Sequence, residues 1–379
     1  MTKVAVIVGT RPEVIKMAPI IMELQRRPNF EYYVISTGQH ESMLKQAFEI
    51  FGLKPDQDLA VMKVGQKLPA LTSKLIEFVA DALKNNKPDI VLVQGDTTTV
   101  LASSLAAFYE EIPIGHVEAG LRTYDYTAPW PEEMNRRLTD AISRWCFAPT
   151  KWAKDNLLRE GIPRVNIFVT GNTVIDALFW VRSRIQTNKP ELPSGVEEFM
   201  KGHRVILVTA HRRESFGEPF ERICHAILRV VDSFSDVRVV YPVHLNPNVR
   251  GPVEQLLGNH ERIFLVEPVG YEEFVWLMDR SYFVLSDSGG VQEEALSLGK
   301  PVLVMRDTTE RPEGVSAGVA KLVGTRSSEI VRECAVLLND STVYQERARA
   351  ASPYGDGKAS KRIVDILAGS PAEWEGVGY

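Results

Sequence analysis

The sequence predicts an α/β protein built from two doubly wound domains. Short β-branched and apolar runs alternate with longer amphipathic stretches, and this pattern restarts once near the middle of the chain. The length of 379 residues suits about two domains. Near-continuous apolar strands separated by helices indicate parallel sheets covered on both faces. Two such series in tandem therefore indicate two Rossmann-like sheets.

Each of the two series contains six candidate strands. The first series consists of 3–9, 31–37, 89–94, 112–117, 144–148 and 166–169. The second series consists of 204–209, 237–243, 262–267, 282–286, 301–305 and 319–323. A polar, proline-bearing stretch at 186–195 is interpreted as an insertion or surface loop, with the domain boundary earlier, near Gly171. The predicted domains are therefore 1–170 and 171–357.

The composition and net charge of the chain give no support for binding to nucleic acid or to membranes. Hydrophobic residues make up 44% and charged residues 25% of the chain, and the formal net charge is −5. Such a chain has no global attraction for nucleic acid or an anionic membrane, so any anion site must be a local arrangement. Cys146, Cys224 and Cys334 form no CxxC pair, and no stretch approaches the ~20 apolar residues of a membrane span. With no signal peptide recognisable, we expect a cytoplasmic protein.

Polar residues follow the carboxyl ends of the predicted strands, where ligands gather in doubly wound folds. In the first series the segments are GTRPEVIK, QGDTTT and GHVEAGLRT. In the second series they are AHRRES, HLNP, SDSGG and RDTTERPEG. Two sheets that face each other by these edges would enclose a single cleft.

The segment LSDSGGVQEEA at 285–295 has the features of a phosphate site. Gly289 and Gly290 let backbone N–H groups approach an anion, and a helix predicted from Val291 adds the partial positive charge of its N-terminus. No lysine follows in this loop, and two glutamates come next. A phosphate bound here would need cations from elsewhere.

Arg11 and Lys16 are candidates for those cations because both follow the first strand. The alternative is a solvated helix start. Arg11 precedes a proline, which is typical of a loop that enters a helix.

Four carboxylates stand at strand ends or helix starts. Asp96 in GDTTT is either a helix cap, a catalytic acid, or both. Glu118 lies between an apolar strand and a glycine, beside His116, which favours a functional role. Glu132 and Glu133, taken alone, are typical of ordinary first-turn acids that the helix dipole favours.

His211 ends an apolar strand beside two arginines, which favours function over a place in the core. For His244, a functional role and a place in the core both stay open. The seven histidines form no HExxH motif or ligand cluster, so we expect no metal. The sequence contains no Walker lysine motif, GxSxG or GxGxxG, and nicotinamide binding therefore lacks its main support.

Taken together, these motifs resemble those of bacterial non-hydrolysing UDP-N-acetylglucosamine 2-epimerases. The matching segments stand in order from about residue 3 to residue 367 and are GTRPEVIKMAPI, GDTTT, GHVEAGLRT, PWPEEMNRRLTD, GNTVIDAL, TAHRRES, YPVHLNPNVR, SDSGGVQEEA, RDTTERPEG and SPYGDGKAS. The resemblance implies the GT-B fold, in which two Rossmann-like domains face each other across a cleft. It also implies a C-terminal helix, about 358–379 here, that returns to the first domain. We expect a homodimer that needs no cofactor.

The resemblance also implies the reaction, reversible epimerisation at C2 between UDP-GlcNAc and UDP-ManNAc, which supplies ManNAc-type precursors for cell-surface polysaccharide. UDP is eliminated to leave 2-acetamidoglucal and is then added back, with the proton on the opposite face. Asp96, Glu118 and Glu132 match the family's essential carboxylates, and His211 would stabilise the departing diphosphate. Which carboxylate removes the proton stays open.

The residues that bind the UDP-sugar follow from the same resemblance. Ser288, Gly289 and Gly290 would present a hydroxyl and backbone amides to the diphosphate. Glu294 would accept hydrogen bonds from the ribose, and Phe274 would lie beside the uracil. The further contacts would come from Arg11, Lys16, Asp96, Glu118, His211 and Arg311.

A second, regulatory site is also implied, at which UDP-GlcNAc acts as an activator. The matching positions are Gln39, Gln66 and His244, with Glu133 and Arg212 nearby. A ligand that binds the closed state better than the open state would favour closure of the two domains.

Other functions remain open at this point. A GT-B glycosyltransferase would share the fold and the nucleotide site and would transfer the sugar to an acceptor. A hydrolysing epimerase would release free ManNAc and UDP. A sugar-nucleotide sensor would bind the ligand without turnover.

Overall fold

The computed structural model describes residues 1–38, 41–61, 65–349, 352–370 and 374. The chain forms two compact units. The first unit comprises Met1–Ala177 and the segment that begins at Tyr354, and the second comprises Leu178–Pro353.

The first unit is built on a parallel sheet. Its strands, within the described residues, are β1 Thr2–Val8, β2 Phe30–Ser36, β3 Gln57–Asp58, β4 Ile90–Gln94, β5 Ile114–Val117, β6 Trp145–Ala148 and β7 Ile167–Val169. The spatial order β3-β2-β1-β4-β5-β6-β7 is the Rossmann order, with the switch point between β1 and β4. The sequence analysis missed β3, because a two-residue polar edge strand carries no hydrophobic pattern.

The second unit repeats this architecture. Its strands in the described part of the chain are β8 Arg204–Thr209, β9 Val237–Pro242, β10 Ile263–Val266, β11 Phe283–Ser286, β12 Val302–Val304 and β13 Ala320–Leu322. All are parallel, in the order β10-β9-β8-β11-β12-β13, so the switch point lies between β8 and β11. The predicted class of two doubly wound α/β units is confirmed.

Helices connect the strands. The α-helices are α1 Arg11–Gln25, α2 Glu41–Ile50, α3 Leu68–Asn86, α4 Thr98–Tyr109, α5 Glu132–Ile142, α6 Lys151–Arg159, α7 Thr173–Thr187, α8 Val196–Met200, α9 Glu218–Ser233, α10 Pro247–Leu257, α11 Tyr271–Arg280, α12 Gly289–Ser297, α13 Pro312–Ser316, α14 Ser327–Asn339, α15 Ser341–Arg349 and α16 Ala359–Leu367. None of them, over the residues described, has the length and apolarity that a membrane span requires.

Three helices begin directly after strands at the switch points, and side-chain caps fix the first turns of two of them, α1 and α4. At α1, the Thr10 side chain accepts a hydrogen bond from the Glu13 N–H, and the Glu13 side chain accepts one from Thr10. Thr97, and not Asp96, is the cap of α4, because its hydroxyl accepts from the Val100 N–H. The helix α12 begins two residues before the predicted start at Val291.

The last helix of the described chain, α16, packs on the first unit. Arg27, just after α1, forms an ion pair with Asp365 at 2.7 Å. Asp176 in α7 accepts hydrogen bonds from the backbone N–H groups of Ala359 and Ser360, at 3.1 Å and 2.8 Å. These contacts join α16 to α7 and to the segment that follows α1.

Candidate active site

Glu118, directly after β5, is the most heavily contacted carboxylate of the predicted site. Its side chain is 3% exposed. The ammonium of Lys16 lies 2.8 Å from Oε1 and 2.6 Å from Oε2. Gln94 donates to Oε2, and Asn172 donates to Oε1 at 3.1 Å. Hydrogen-bond donors therefore converge on a buried carboxylate from three separate segments of the chain.

The backbone at Glu118 is also unusual, with φ at +69°. A side chain other than glycine rarely adopts the left-handed region, and such strain persists where the surroundings impose it, often at functional sites. Here the side-chain contacts are what hold the residue. Lys16, predicted as a phosphate cation, has Glu118 as its ion-pair partner, so the two charges compensate each other.

Asp96 lies in the turn between β4 and α4, at the switch point of the first sheet. Its carboxylate pairs with Arg136 from α5 at 2.7 Å. Its backbone carbonyl accepts a hydrogen bond from the Asn135 side chain at 2.9 Å. Adjacent residues of α5 thus fix both the backbone and the side chain of Asp96.

The two acids at the start of α5 differ in their surroundings. Glu132, the first residue of the helix, is half-buried. Glu133 is fully buried, and its oxygens accept hydrogen bonds from the backbone N–H groups of Thr123 and Tyr124, at 3.0 Å and 3.1 Å. Glu133 therefore holds the loop between β5 and α5.

Another buried carboxylate, Glu13, links α1 to the Asp96 turn. Glu13 accepts the Gly9 N–H at 2.6 Å and the Thr97 hydroxyl at 2.7 Å. Burial raises the pKa of Glu13 to about 7, although the hydrogen bonds from Thr97 and Gly9 act in the opposite direction. Arg11, the first residue of the same helix, is half-buried.

In the second unit, Asp287 organises the loop after β8. Its Oδ2 accepts the backbone N–H groups of His211 and Arg212 at 2.7 Å and 2.8 Å. The His211 ring stacks on His244 with centroids 5.2 Å apart. Burial lowers the pKa of His211, and the charges of His244 and Arg212 act in the same direction against the opposing effect of Asp287. The imidazole of His211 is therefore neutral near pH 7.

The glycines of the predicted phosphate site form the first turn of α12, and Ser288 is its N-cap residue. A Cβ at Gly289 would lie 2.8 Å from a carboxylate oxygen of Glu310, whereas a Cβ at Gly290 would meet no atom within 4 Å. A side chain at position 289 would therefore displace the Glu310 carboxylate, whereas Gly290 faces open space. The N-terminus of a nine-residue helix at a strand end suits an anion.

The predicted ribose and uracil contacts lie on neighbouring helices. Glu294, in α12, is buried and accepts a hydrogen bond from the Tyr271 hydroxyl at 2.6 Å. Tyr271 is the first residue of α11, and Phe274 lies half-buried in the same helical turn. This pairing fixes the Glu294 carboxylate beside the start of α11.

Arginines surround Glu310 in the loop after β12. Arg306 lies 2.7 Å, Arg212 3.4 Å and Arg311 3.5 Å from its oxygens. Burial alone would raise the pKa of Glu310, but the charges of the three arginines lower it to about 2. Arg311 also donates to Glu293 at 2.6 Å. The result is a fixed group of cations near the start of α12.

Several residues of this arrangement lie in segments that the sequence analysis quoted, but it assigned them no role. Gln94 and Asn172 hold Glu118, Arg136 holds Asp96, and Asp287 holds the His211 loop. Gln94 is the last residue of β4 and Asp287 directly follows β11. The rule that ligands gather at strand ends placed both in the quoted segments QGDTTT and SDSGG, whereas the contact of Arg136 depends on the tertiary fold.

The regulatory positions are only partly described. Gln39 lies outside the described residues, and Gln66 is half-buried just before α3. His244 is exposed and stacked on His211, and Arg212 is half-buried. The described residues contain no group of three or more His, Cys, Asp or Glu side chains that could hold a metal ion.

Doubly wound proteins bind nucleotides at the carboxyl ends of their strands, often at a glycine-led helix start. Both Rossmann-type sheets of this chain carry polar side chains at those ends, and the second also has such a helix start beside arginines. A family model described as UDP-N-acetylglucosamine 2-epimerase matches residues 22–368. The chain belongs to the UDP-N-acetylglucosamine 2-epimerase family.

Individual relatives agree with this assignment. The UDP-N-acetylglucosamine 2-epimerase of Escherichia coli (strain K12) is 52% identical over 368 residues, which cover 96% of this chain and 98% of the relative. A crystal structure of the Neisseria meningitidis UDP-GlcNAc 2-epimerase bound to UDP-GlcNAc superposes with a TM-score of 0.90 at 48% identity, covering 97% of this chain and 100% of that one. The Methanocaldococcus jannaschii enzyme, in complex with UDP-GlcNAc and UDP, gives 0.82 at 37% identity, with the same coverage.

Proposed function

We propose that this protein catalyses the reversible epimerisation of UDP-GlcNAc to UDP-ManNAc at C2, without an added cofactor. The observation that carries the proposal is the buried carboxylate of Glu118 and its donors, in a chain 52% identical to an epimerase over nearly its whole length. Solved relatives bind UDP-GlcNAc and UDP, which supports these nucleotides as partners of this chain.

The chemistry explains why several carboxylates are needed. The C2 hydrogen is not adjacent to a carbonyl group, so its simple abstraction is very difficult. A base removes the C2 proton, the electron pair of the C2–H bond forms the C1=C2 double bond, and UDP leaves with the C1–O bonding pair. Re-addition of UDP and of a proton on the opposite face completes the inversion. The route needs a base, an acid, and negative charge near the oxocarbenium-like C1.

Asp96, Glu118 and Glu132 are the proposed catalytic carboxylates, and the C2 base is one of them. Lys16 and Arg136 support two of these groups as ion-pair partners. A carboxylate fixed by buried donors needs no reorganisation when positive charge develops on the sugar, which is the basis of electrostatic preorganisation.

The second unit is proposed to bind UDP. Ser288, Gly289 and Gly290 would contact the diphosphate at the start of α12, where backbone N–H groups favour an anion. Glu294, held by Tyr271, would accept the ribose hydroxyls. The remaining contacts are assigned to Phe274 at the uracil and to Arg11, His211 and Arg311 at the phosphates.

Proton NMR of UDP-GlcNAc with the purified protein alone tests this proposal. We expect UDP-ManNAc to appear, and the same final mixture to form when the reaction starts from UDP-ManNAc. Free ManNAc with UDP would instead identify a hydrolysing enzyme. Turnover only with an added acceptor would identify a glycosyltransferase, and binding without turnover would identify a sensor.

We further propose a homodimer formed through the exposed side of α3, α4 and α5, which pack in that order. Phe78, Phe108, Met134 and Leu138 are exposed on these helices, and clustered exposed apolar side chains mark protein interfaces. Sedimentation velocity should show a dimer that Phe108→Glu dissociates. Val165→Glu, at an exposed apolar residue elsewhere, should leave the dimer intact.

Activation by UDP-GlcNAc at Gln39, Gln66, Glu133, Arg212 and His244 is also part of the proposal. An assay that starts from pure UDP-ManNAc should show a lag that a trace of UDP-GlcNAc abolishes. Immediate full-rate conversion would contradict it.

We place the enzyme in the cytoplasm, because its three cysteines are free thiols, the form that a reducing compartment maintains.

A further inference from the structure

The turn that carries Asp96 is held from both sides by buried side chains. The carbonyl oxygen of Gly95 lies 2.7 Å from Nε2 of His116, in the neighbouring strand β5. On the other side, the hydroxyl of Thr97 donates to Glu13 of α1 at 2.7 Å. Both chain neighbours of Asp96 are therefore fixed by groups outside the turn.

The ring of His116 is fully buried, and both of its nitrogens face acceptors. The Gly95 carbonyl can only accept, so Nε2 carries a proton. Nδ1 lies 2.6 Å from Oδ1 of Asp140. Burial alone would raise the pKa of Asp140, but His116 and Arg122 together hold it below its ordinary value. Asp140 is therefore ionised, and the His116 ring joins its carboxylate to the Gly95 carbonyl.

The charges around His116 balance one another. Arg122 donates to Oδ2 of Asp140 at 2.7 Å and to Glu160 at 2.7 Å. Two cations, Arg122 and Arg137, thus face two anions, Asp140 and Glu160. A compensated network of this kind tolerates burial and has a rigid geometry.

Glu13 joins two loops of the switch point. It is 2% exposed and accepts the backbone N–H groups of Gly9 and Thr10 as well as the Thr97 hydroxyl. The loop that leads to Arg11 and the turn that carries Asp96 are consequently held by one carboxylate.

We propose that His116 and Glu13 are positioning residues that fix the Asp96 turn in its productive geometry, His116 through the Gly95 carbonyl and Glu13 through the Thr97 hydroxyl. The proposal rests on the proposed catalytic role of Asp96. A displacement of ~1 Å at a reacting group can cost on the order of 10²-fold in rate. Loss of either contact should therefore lower kcat and leave the binding of UDP unchanged.

Two substitutions at His116 separate positioning from a merely structural role. A glutamine amide reaches about as far as Nε2 and can still donate to the Gly95 carbonyl. An asparagine amide reaches about as far as Nδ1 and can still donate to Asp140. Each variant keeps one of the two contacts of the ring and loses the other, so each is the control of the other.

We expect kcat to fall at least about ten times further in His116→Asn than in His116→Gln, since one misplaced group can cost on the order of 10²-fold. KM and the Kd of UDP should stay within about twofold of the wild-type values in both variants, since the proposed UDP contacts are elsewhere. Urea unfolding should give the opposite order, because His116→Gln removes the hydrogen bond to Oδ1 of the buried Asp140 and leaves this oxygen without that contact. An equal loss of kcat, or a loss that follows stability, would overturn the proposal.

Thr97 provides the second test, which does not depend on whether the His116 variants fold. Thr97→Val keeps the shape of the side chain and loses the hydroxyl, which both donates to Glu13 and caps α4, whereas Thr97→Ser keeps both contacts. We expect kcat to fall in Thr97→Val and to be largely restored in Thr97→Ser, with the Kd of UDP unchanged. Wild-type kcat in Thr97→Val would overturn the role of Glu13.

Asp96→Asn distinguishes failure of this inference from failure of the proposed function. If Asp96→Asn is inactive while His116→Asn and Thr97→Val retain wild-type kcat, positioning is wrong and the catalytic role of Asp96 stands. If Asp96→Asn itself turns over at nearly the wild-type rate, both ideas fall.

Discussion

The ion pair between Lys16 and Glu118 should make a large and strongly coupled contribution to stability. The two side chains are 13% and 3% exposed, with nitrogen and oxygen 2.6 Å apart. Removing one partner of a buried pair leaves an uncompensated charge and costs about 3–5 kcal/mol. We therefore expect Lys16→Met and Glu118→Gln each to lower the free energy of unfolding by about this amount.

The double variant Lys16→Met/Glu118→Gln should cost less than the sum of the single variants, because no buried charge is left alone. An interaction energy of about 1–3 kcal/mol is expected for groups in direct contact. The assay is urea unfolding at pH 7, with amide exchange of β1 and β5 identifying the transition of the first unit. The destabilisation by each single variant and the interaction energy of the pair do not depend on any assumption about activity.

The exposed pair Lys45–Glu49, 3.9 Å apart in α2, provides the matched control. The single variants Lys45→Met and Glu49→Gln and the double variant Lys45→Met/Glu49→Gln should leave the free energy of unfolding nearly unchanged, since exposed pairs contribute little. The interpretation of Glu118 as a buried anion held by Lys16 is refuted if the two site substitutions are additive within about 0.5 kcal/mol.

Three further predictions concern other parts of the structure. Gly289→Ala should lower the stability of the second unit by about 1–3 kcal/mol, because the added methyl group displaces Glu310, whereas Gly290→Ala should be neutral or stabilising by up to about 1 kcal/mol in thermal unfolding. Glu13 has a folded-state pKa of about 7 against an ordinary 4.5, so its contribution favours folding below pH 4.5 and is lost as the pH rises to 7. Over this range the free energy of unfolding of the wild type should fall by about 3 kcal/mol relative to that of Glu13→Gln. A constant difference between the two proteins would contradict this prediction. Arg311→Ala should raise the Kd of UDP by about 10–100-fold in calorimetry, as expected for a lost charged hydrogen bond; an unchanged Kd would remove Arg311 from the nucleotide site.

The sequence was sufficient to predict the strands, because each is an apolar run bounded by polar residues. It also identified the strand ends as the place where the chemistry gathers. The exception, β3, is only Gln57–Asp58, and its pairing with β2 depends on the backbone alone. The early start of α12 was missed for a related reason, because glycines at a helix N-terminus give no periodic signal.

Contacts between distant side chains could not be predicted from the sequence. Glu118 was found as a carboxylate at a strand end, but Lys16 is 102 residues and Asn172 54 residues away from it in the chain. Similarly, His116 was noted only as a neighbour of Glu118, and its partner Asp140 lies one helix later. Only the parallel sheet brings these segments together, so the pairing of these side chains follows from the structure.

The exchange of the C2 hydrogen with solvent tests the central claim most directly. UDP-GlcNAc is incubated in deuterated water with the wild-type protein and no added cofactor, and C2 of both sugars is followed by proton NMR. Inversion through proton removal predicts that UDP-ManNAc forms and that deuterium accumulates at C2 of both UDP-ManNAc and the remaining UDP-GlcNAc. Formation of UDP-ManNAc that retains the original C2 hydrogen, or no conversion at all, would contradict the account.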